Sequence, residues 1–175
     1  MTDKQEKILK AALELFAREG FAATSTSKVA KHAEVSEGLI FRHFKNKKGL
    51  LEAILVEGEK KIKLLFAEVV MESDPKELIR KVLNISDLML SNQEDFDFWK
   101  LQYKIKWEIE VYTEHKMEAV QLALGNAFRK LKYEHPELEA EFLLVALDGI
   151  ATRLFLQDGF DPEGIVELLH SKYEV

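Results

Sequence analysis

The sequence contains no cysteine. That absence removes a disulfide framework and any thiolate-ligated zinc or redox centre. Proline is nearly as scarce, and its three occurrences fall in Asp74-Pro75-Lys76-Glu77, His135-Pro136-Glu137 and Asp161-Pro162-Glu163. Each can open a helix there, because the first helical position has no intrahelical use for the N–H that proline lacks. Long apolar runs are missing too. The longest, such as Leu143-Leu144-Val145-Ala146-Leu147, stop far short of the roughly 20 residues a bilayer requires. Residues 1–7 hold no apolar signal segment, so the expected compartment is the cytoplasm, with no membrane partner. Catalytic signatures are also wanting. His32, His43, His115, His135 and His170 show no metal-binding spacing, and Glu114, His115 and Glu118 read as a solvated charged face. There is no Gly-rich phosphate loop, no Gly-x-Ser-x-Gly elbow and no nucleophile beside a partner. No catalytic residue, metal or cofactor is expected, and an enzyme on a helical scaffold is the remote alternative.

What the chain does hold is 47% hydrophobic and 32% charged residues over 175 positions, a composition that folds into a globule without staples. The net charge of −6 is unevenly spread. Residues 1–50 carry ten Lys or Arg against six Asp or Glu, and residues 51–175 carry fifteen against twenty-five. A basic contact module on an acidic body is the reading this asymmetry suggests.

Nearly every segment has helical periodicity. Thr2-Asp3-Lys4-Gln5 is a capping box, Ile8, Ala12, Leu15 and Phe16 form one buried face, and Gly20 ends the helix. A short helix follows from about Thr26 to Ala33, burying Val29, Ala30 and Ala33. After a tight turn at Glu34-Val35, Ser36 is expected to cap a third helix running to about Phe44, with Ile40 and Phe44 inward. Asn46 is expected to cap a linking helix over 46–71, striped by Leu51, Ile54, Leu55, Ile62, Leu65, Phe66 and Val69. Further helices are predicted at about 75–91, 95–112, 114–133, 137–157 and 162–172. Asp148-Gly149 and Asp158-Gly159 lack the flanking alternation of hairpins. The fold class is therefore all-α, with residues 1–46 as an N-terminal three-helix domain and residues 47–175 as a helical body.

Two short helices joined by a three- to four-residue turn and packed on a longer first helix describe a helix-turn-helix. A short third helix, polar on its outer side, fits the major groove of B-DNA, roughly 12 Å wide. Glu37, Gly38, Leu39, Arg42 and His43 would face outward. Arg42 is the best base reader, since a guanidinium pairs in bidentate fashion with guanine O6 and N7, and Leu39 suits a thymine methyl. Gly38 leaves the backbone bare for close approach. Glu37 either accepts from cytosine N4 or only complements the helix dipole.

The run ILKAALELFAREGFAATSTSKVAKHAEVSEGLIFRHFKNKKGLL, from Ile8 to Leu51, resembles the DNA-binding domain of the TetR/AcrR family of bacterial transcriptional regulators. The resemblance rests on Phe16 with Gly20-Phe21, Thr24/Thr26, Val29-Ala30 with Ala33, Val35-Ser36-x-Gly38, Ile40-Phe41-x-His43-Phe44 and Asn46-Lys47. It implies phosphate contacts at Thr26, Lys28 and Lys47, backbone contacts at Phe41 and His43, and base contacts at Glu37, Gly38, Leu39 and Arg42, with Ser36 completing the DNA-facing set. Lys47 also has an independent argument, because a lysine at a helix N-terminus is a ready anion site. Two positions depart from the family's usual pattern: Phe41 stands where tyrosine is common, and Glu34 where glycine often supplies positive φ.

In the body, Leu143 to Ala151 resembles the penultimate helix of many family members. That likeness implies a homodimer interface at Ala146, Gly149 and Arg153, and two recognition helices reading a palindromic operator on double-stranded DNA. The segment from Phe96 to Trp107 carries two helical stripes: Phe98, Leu101, Ile105, Ile109 and Tyr112 in one, Trp99, Tyr103 and Trp107 in the other. One stripe is core, and the second either packs as well or lines an effector pocket. The resulting expectation is a sequence-specific DNA-binding transcriptional regulator, a repressor released from its operator by a small, largely apolar or aromatic effector. The alternative is an effector-independent, DNA-bound division or chromosome-organising factor of the same family.

Overall fold

A computed structural model describes residues 1–108 and 117–175, apart from the side chains of residues 61, 62, 65, 86, 88 and 106–108. Among the described residues there are ten α-helices and no strand, as the all-α expectation requires. In chain order they are α1 (Asp3–Glu19), α2 (Thr26–His32), α3 (Glu37–Phe44), α4 (Lys47–Val70), α5 (Pro75–Leu83), α6 (Ile85–Met89), α7 (Gln93–Glu108), α8 (Glu118–Lys130), α9 (Pro136–Leu156) and α10 (Glu163–Tyr173). No helix among the described residues is long and apolar enough to cross a membrane. The chain divides into two compact units, one of Met1–Ile62 with Ser91–Val111 and one of Lys63–Leu90 with Tyr112–Val175.

The first unit is built from its caps inward. The Thr2 hydroxyl accepts from the Gln5 N–H at 3.4 Å, and the Gln5 side chain accepts from the Thr2 N–H at 2.8 Å, which closes the capping box. Gly20 terminates α1 with φ 94°. Ile8, Leu15 and Phe16 on α1, Val29 on α2, Ile40 on α3 and Leu50 on α4 are almost completely buried. Each such side chain contributes about 1.5–3 kcal/mol through removal from water. Thr24 is the one polar side chain buried as deeply among the described residues, and its hydroxyl donates to the Gly20 carbonyl at 2.9 Å. Asn46 accepts from the Gly49 N–H at 2.9 Å, as a cap of α4 should. Ser36 precedes α3 but makes no side-chain capping bond, contrary to expectation.

Helix α7 lies against α1 in this unit. Phe98, Leu101 and Ile105 are buried, so the first aromatic stripe is the core-facing one. Its continuation at Ile109 and Tyr112, like Glu114 and His115, lies outside the described residues. Phe98 meets α4 at Gly58 so closely that a Cβ added there would sit 1.8 Å from the ring. The Lys104 ammonium donates to the Arg18 carbonyl at the end of α1, 3.1 Å away.

The second unit surrounds Leu78, Ile79, Val82, Leu124, Phe128 and Leu143. Phe128 and Tyr173 rings pack with centroids 5.1 Å apart, and the Tyr173 hydroxyl donates to Glu139 at 3.0 Å. Asp74 caps α5 through the Glu77 N–H at 2.8 Å. The helix predicted over 75–91 is interrupted at Asn84, giving α5 and α6. Asparagine competes poorly as an interior helical residue because its amide finds other partners. Here that amide oxygen lies 3.0 Å from Nε2 of His170 on α10.

Two outcomes follow for stability. Gly58→Ala should cost about 1–3 kcal/mol in denaturant unfolding, since the added methyl must displace Phe98 from a packed contact. Asp97, on the groove between α1 and α7, has its pKa raised, chiefly by burial, although Gln93 donates to it at 2.9 Å. A raised folded-state pKa means the ionised form is less favourable in the fold than in the unfolded chain. Asp97→Asn should therefore raise the melting temperature at pH 7. The gain should shrink as pH falls and vanish below about 4, where the unfolded carboxyl is protonated as well.

Candidate nucleic-acid interface

The geometry of this surface starts at the turn between α2 and α3. The Glu34 N–H bonds to the Lys31 carbonyl at 3.3 Å and the Val35 N–H to the Ala30 carbonyl at 3.0 Å. This is the paired closure of a helix ending in a left-handed residue. That residue is Glu34, with φ 55°. The conformation costs an ordinary L-residue roughly 1–2 kcal/mol, and glycine almost nothing. The turn keeps its shape despite the missing glycine because Val29, Ala30, Ala33 and Ile40 bury the helix pair on both sides of it.

With Ile40 and Phe44 inside, α3 presents Gly38, Phe41 and Arg42 to solvent, and Glu37, Leu39 and His43 are half-buried. Arg42 has neither an ion pair nor a hydrogen bond among the described residues. A Cβ built on Gly38 would meet nothing within 4 Å, so no contact inside the chain demands glycine there. Phe41 is 48% exposed. Nδ1 of His43 sits 3.4 Å from Nε2 of Gln5, tying the recognition helix to the start of α1.

The expected phosphate ligands are already engaged. The Thr26 hydroxyl donates to Oε1 of Glu37 at 2.6 Å. Lys28 is paired with Glu19, whose carboxyl pKa is lowered first by that bond and then by Arg18. Lys47 donates to the carbonyls of Phe21 at 2.9 Å and Ala22 at 3.1 Å, with its ammonium 4.6 Å from the centre of the Phe21 ring. The two lysines each retain N–H groups for an anion, because an ammonium has three donors. Ser36, free of capping, is exposed.

Several contributors escaped the sequence reading. Lys45 and Lys48 are exposed at the α3–α4 junction and add positive charge beside Arg42. Glu19 was not singled out, and its pairing with Lys28 depends on α1 and α2 meeting in space. Gly49 sits where a Cβ would come 2.1 Å from the Phe44 carbonyl oxygen, so the α3–α4 turn needs a bare backbone. Its position three residues after the cap Asn46 was a legible hint. The proposed effector residues Trp99 and Tyr103 are half-buried on α7, while the Trp107 side chain lies outside the described residues. In the second unit Gly149 and Arg153 are exposed and Ala146 half-buried on α9.

A polar, cation-flanked recognition helix on a buried three-helix core defines a helix-turn-helix protein. Residues 8–54 match the family model described as "Bacterial regulatory proteins, tetR family". It is 35% identical over 94 residues to the uncharacterized HTH-type transcriptional regulator YvkB of Bacillus subtilis (54% of this chain, 47% of that protein). It is 27% identical over 181 residues to the HTH-type transcriptional repressor AcnR of Corynebacterium glutamicum, covering 96% of this chain and 89% of AcnR. The matched stretch spans less than half the length of the first curated relatives. In fold, the chain superposes with a TM-score of 0.74 and 19% identity on a putative transcriptional regulator from Saccharomonospora viridis solved in complex with choline, over 99% of this chain and 97% of that one.

Glu34→Gly should stabilise the protein by up to about 1 kcal/mol, the relieved left-handed strain less the larger unfolded-state entropy of glycine. Glu34→Ala, which keeps the Cβ, should give no such gain. Thermal unfolding of the two variants side by side checks both expectations.

Proposed function

We propose that this chain is a sequence-specific DNA-binding transcriptional regulator, a repressor that a small, largely apolar or aromatic effector releases from a palindromic operator. The observation that carries the reading is Arg42, which stands exposed and uncommitted on a helix whose opposite side is buried. An arginine left without an internal partner on a groove-sized helix matches direct readout of guanine. Lys28, Lys45, Lys47 and Lys48 supply charge for the phosphates on either side, and Ser36, Phe41 and His43 complete the backbone contacts. Repression is the printed role of AcnR, the relative matched along most of its length.

The self-partner is supported by α9 and α10. Leu138, Phe142, Val145 and Leu156 on α9, with Ile165 and Leu168 on α10, are all more than a third exposed. The α9 positions recur at helical spacing with Gly149 among them, and a Cβ on Gly149 would meet nothing within 4 Å. An apolar stripe with a bare backbone in its middle suits a second helix at close range, so a homodimer through Ala146, Gly149 and Arg153 follows. Two copies would place two recognition helices on half-sites about one helical turn apart.

Choline bound to the Saccharomonospora viridis protein supports a small-molecule effector for this fold. Trp99, Tyr103 and Trp107 remain the proposed lining. An effector held there would act on α7, which touches α1 through Lys104 and α4 through Phe98 in the same unit. The coupling required is about 1–3 kcal/mol between the two sites.

The test is binding to the duplex upstream of the protein's own gene, titrated with salt, for wild type and Arg42→Ala. Wild type should bind tightly with a steep salt dependence. Arg42→Ala should lose about 5- to 150-fold on that duplex, the equivalent of 1–3 kcal/mol for one bidentate base contact, and little on random DNA. Failure of the wild type to prefer any sequence, even in selection from genomic fragments, sinks the reading.

A further inference from the structure

Thr26 and Glu37 lie on different helices and eleven positions apart, yet their side chains are joined by the 2.6 Å bond across the helix pair. We infer that Thr26 is a positioning residue which fixes Glu37 as an acceptor-only base reader, and that each operator half-site carries a cytosine opposite the start of α3. The inference rests on the regulator reading and adds what the first turn of α3 recognises.

Proton counting comes first. A threonine hydroxyl has one proton to donate, and a phosphate oxygen can only accept. While that proton is on Glu37, Thr26 has none for the DNA backbone. The bond is short, as hydroxyl–carboxylate bonds are, and Glu37 is the first residue of α3, beside the positive end of the helix dipole. The hydroxyl therefore serves the carboxylate rather than a phosphate.

Charge comes next. Glu14 and Glu19 on α1 are paired with Arg18, and Glu19 with Lys28 as well, whereas Glu37 has no cationic partner among the described residues. A carboxylate carried into the groove without a counter-ion is repelled by phosphates on both sides. It is tolerated where it meets a donor, and the donors on the major-groove edge are cytosine N4 and adenine N6. Adenine sets its N7 acceptor beside N6, against the second carboxylate oxygen. Cytosine sets no acceptor of its own beside N4, which selects cytosine. Holding Oε1 on Thr26 leaves Oε2 to accept from N4, and it fixes the rotamer before DNA arrives.

The experiment selects bound sequences from random duplex with wild type, Thr26→Val, Thr26→Ser and Glu37→Gln, then measures each protein on the selected site against salt. Wild type should enrich one cytosine per half-site, preferred by about ten-fold or more, within the 1–3 kcal/mol typical of a single base pair. Thr26→Val should keep the rest of the motif and the salt slope while losing most of that preference. Thr26→Ser should restore it, and Glu37→Gln should relax it without creating a new motif elsewhere. A Thr26→Val protein that weakens on every sequence alike, loses about 0.9 from the salt slope and still prefers cytosine would show Thr26 to be a phosphate ligand. That result overturns the inference and leaves the regulator reading standing. A wild type that enriches nothing overturns both.

Discussion

The recognition surface depends on one ammonium group. Lys47, at the first position of α4, gathers the carbonyls of Phe21 and Ala22 and covers the Phe21 ring. Those carbonyls belong to the segment between α1 and α2, where the Phe21 carbonyl also accepts from the Thr24 N–H at 3.4 Å. By taking both, Lys47 joins the beginning of α4 to the point where the chain turns towards α2. The α2–α3 pair is then held from two sides, by this clamp and by the apolar contacts of Val29, Ile40 and Phe44. A cation expected to wait for a phosphate is also part of the scaffold that holds α2 and α3 in place.

Charge on the rest of the surface is arranged by subtraction. The segment 1–50 has only four more cations than anions, and two of its six anions, Glu14 and Glu19, are placed against specific partners. Glu19 holds Lys28 and Arg18, and Glu14 holds Arg18 and, at 2.8 Å, His32. These exposed pairs add little stability, since solvent screens them. Arg42, Lys45 and Lys48 stay uncommitted near α3 and its junction with α4, as do Lys4, Lys7 and Lys10 on α1 and Lys31 on α2.

Much of this was legible in the residues. The helical periodicity of Ile8, Leu15 and Phe16, the capping box at Thr2, the glycine stop at Gly20 and the cap at Asn46 act over three or four residues, so local pattern sufficed. The inward direction of Ile40 and Phe44 followed from spacing, and with it the exposure of Gly38 and Arg42, whereas Glu37, Leu39 and His43 are half-buried and Phe41 is exposed. What local pattern could not supply were partners distant in sequence. The break at Asn84 goes with His170, 86 positions away. The buried stripe of α7 was visible as a stripe, but its neighbours α1 and α4 were not. Thr26 and Lys28 came from the family resemblance, and the carboxylates that engage them became apparent only once the helices met. Glu34 was legible as a departure from a family pattern, and its positive φ gives that departure a physical cost.

The notch at Gly58 has a mechanical consequence. The Phe98 ring occupies the place where a side chain would stand on α4, and the adjoining positions on that helix all carry side chains. Rolling or sliding α4 beneath the ring would drive Phe98 into one of them, so the contact behaves as a detent. A push on α7 is then handed to α4, and the first turn of α4 is the part that Lys47 fastens to the segment between α1 and α2. Gear and clamp lie on the same helix, about three turns apart by its rise of about 1.5 Å per residue and pitch of 5.4 Å.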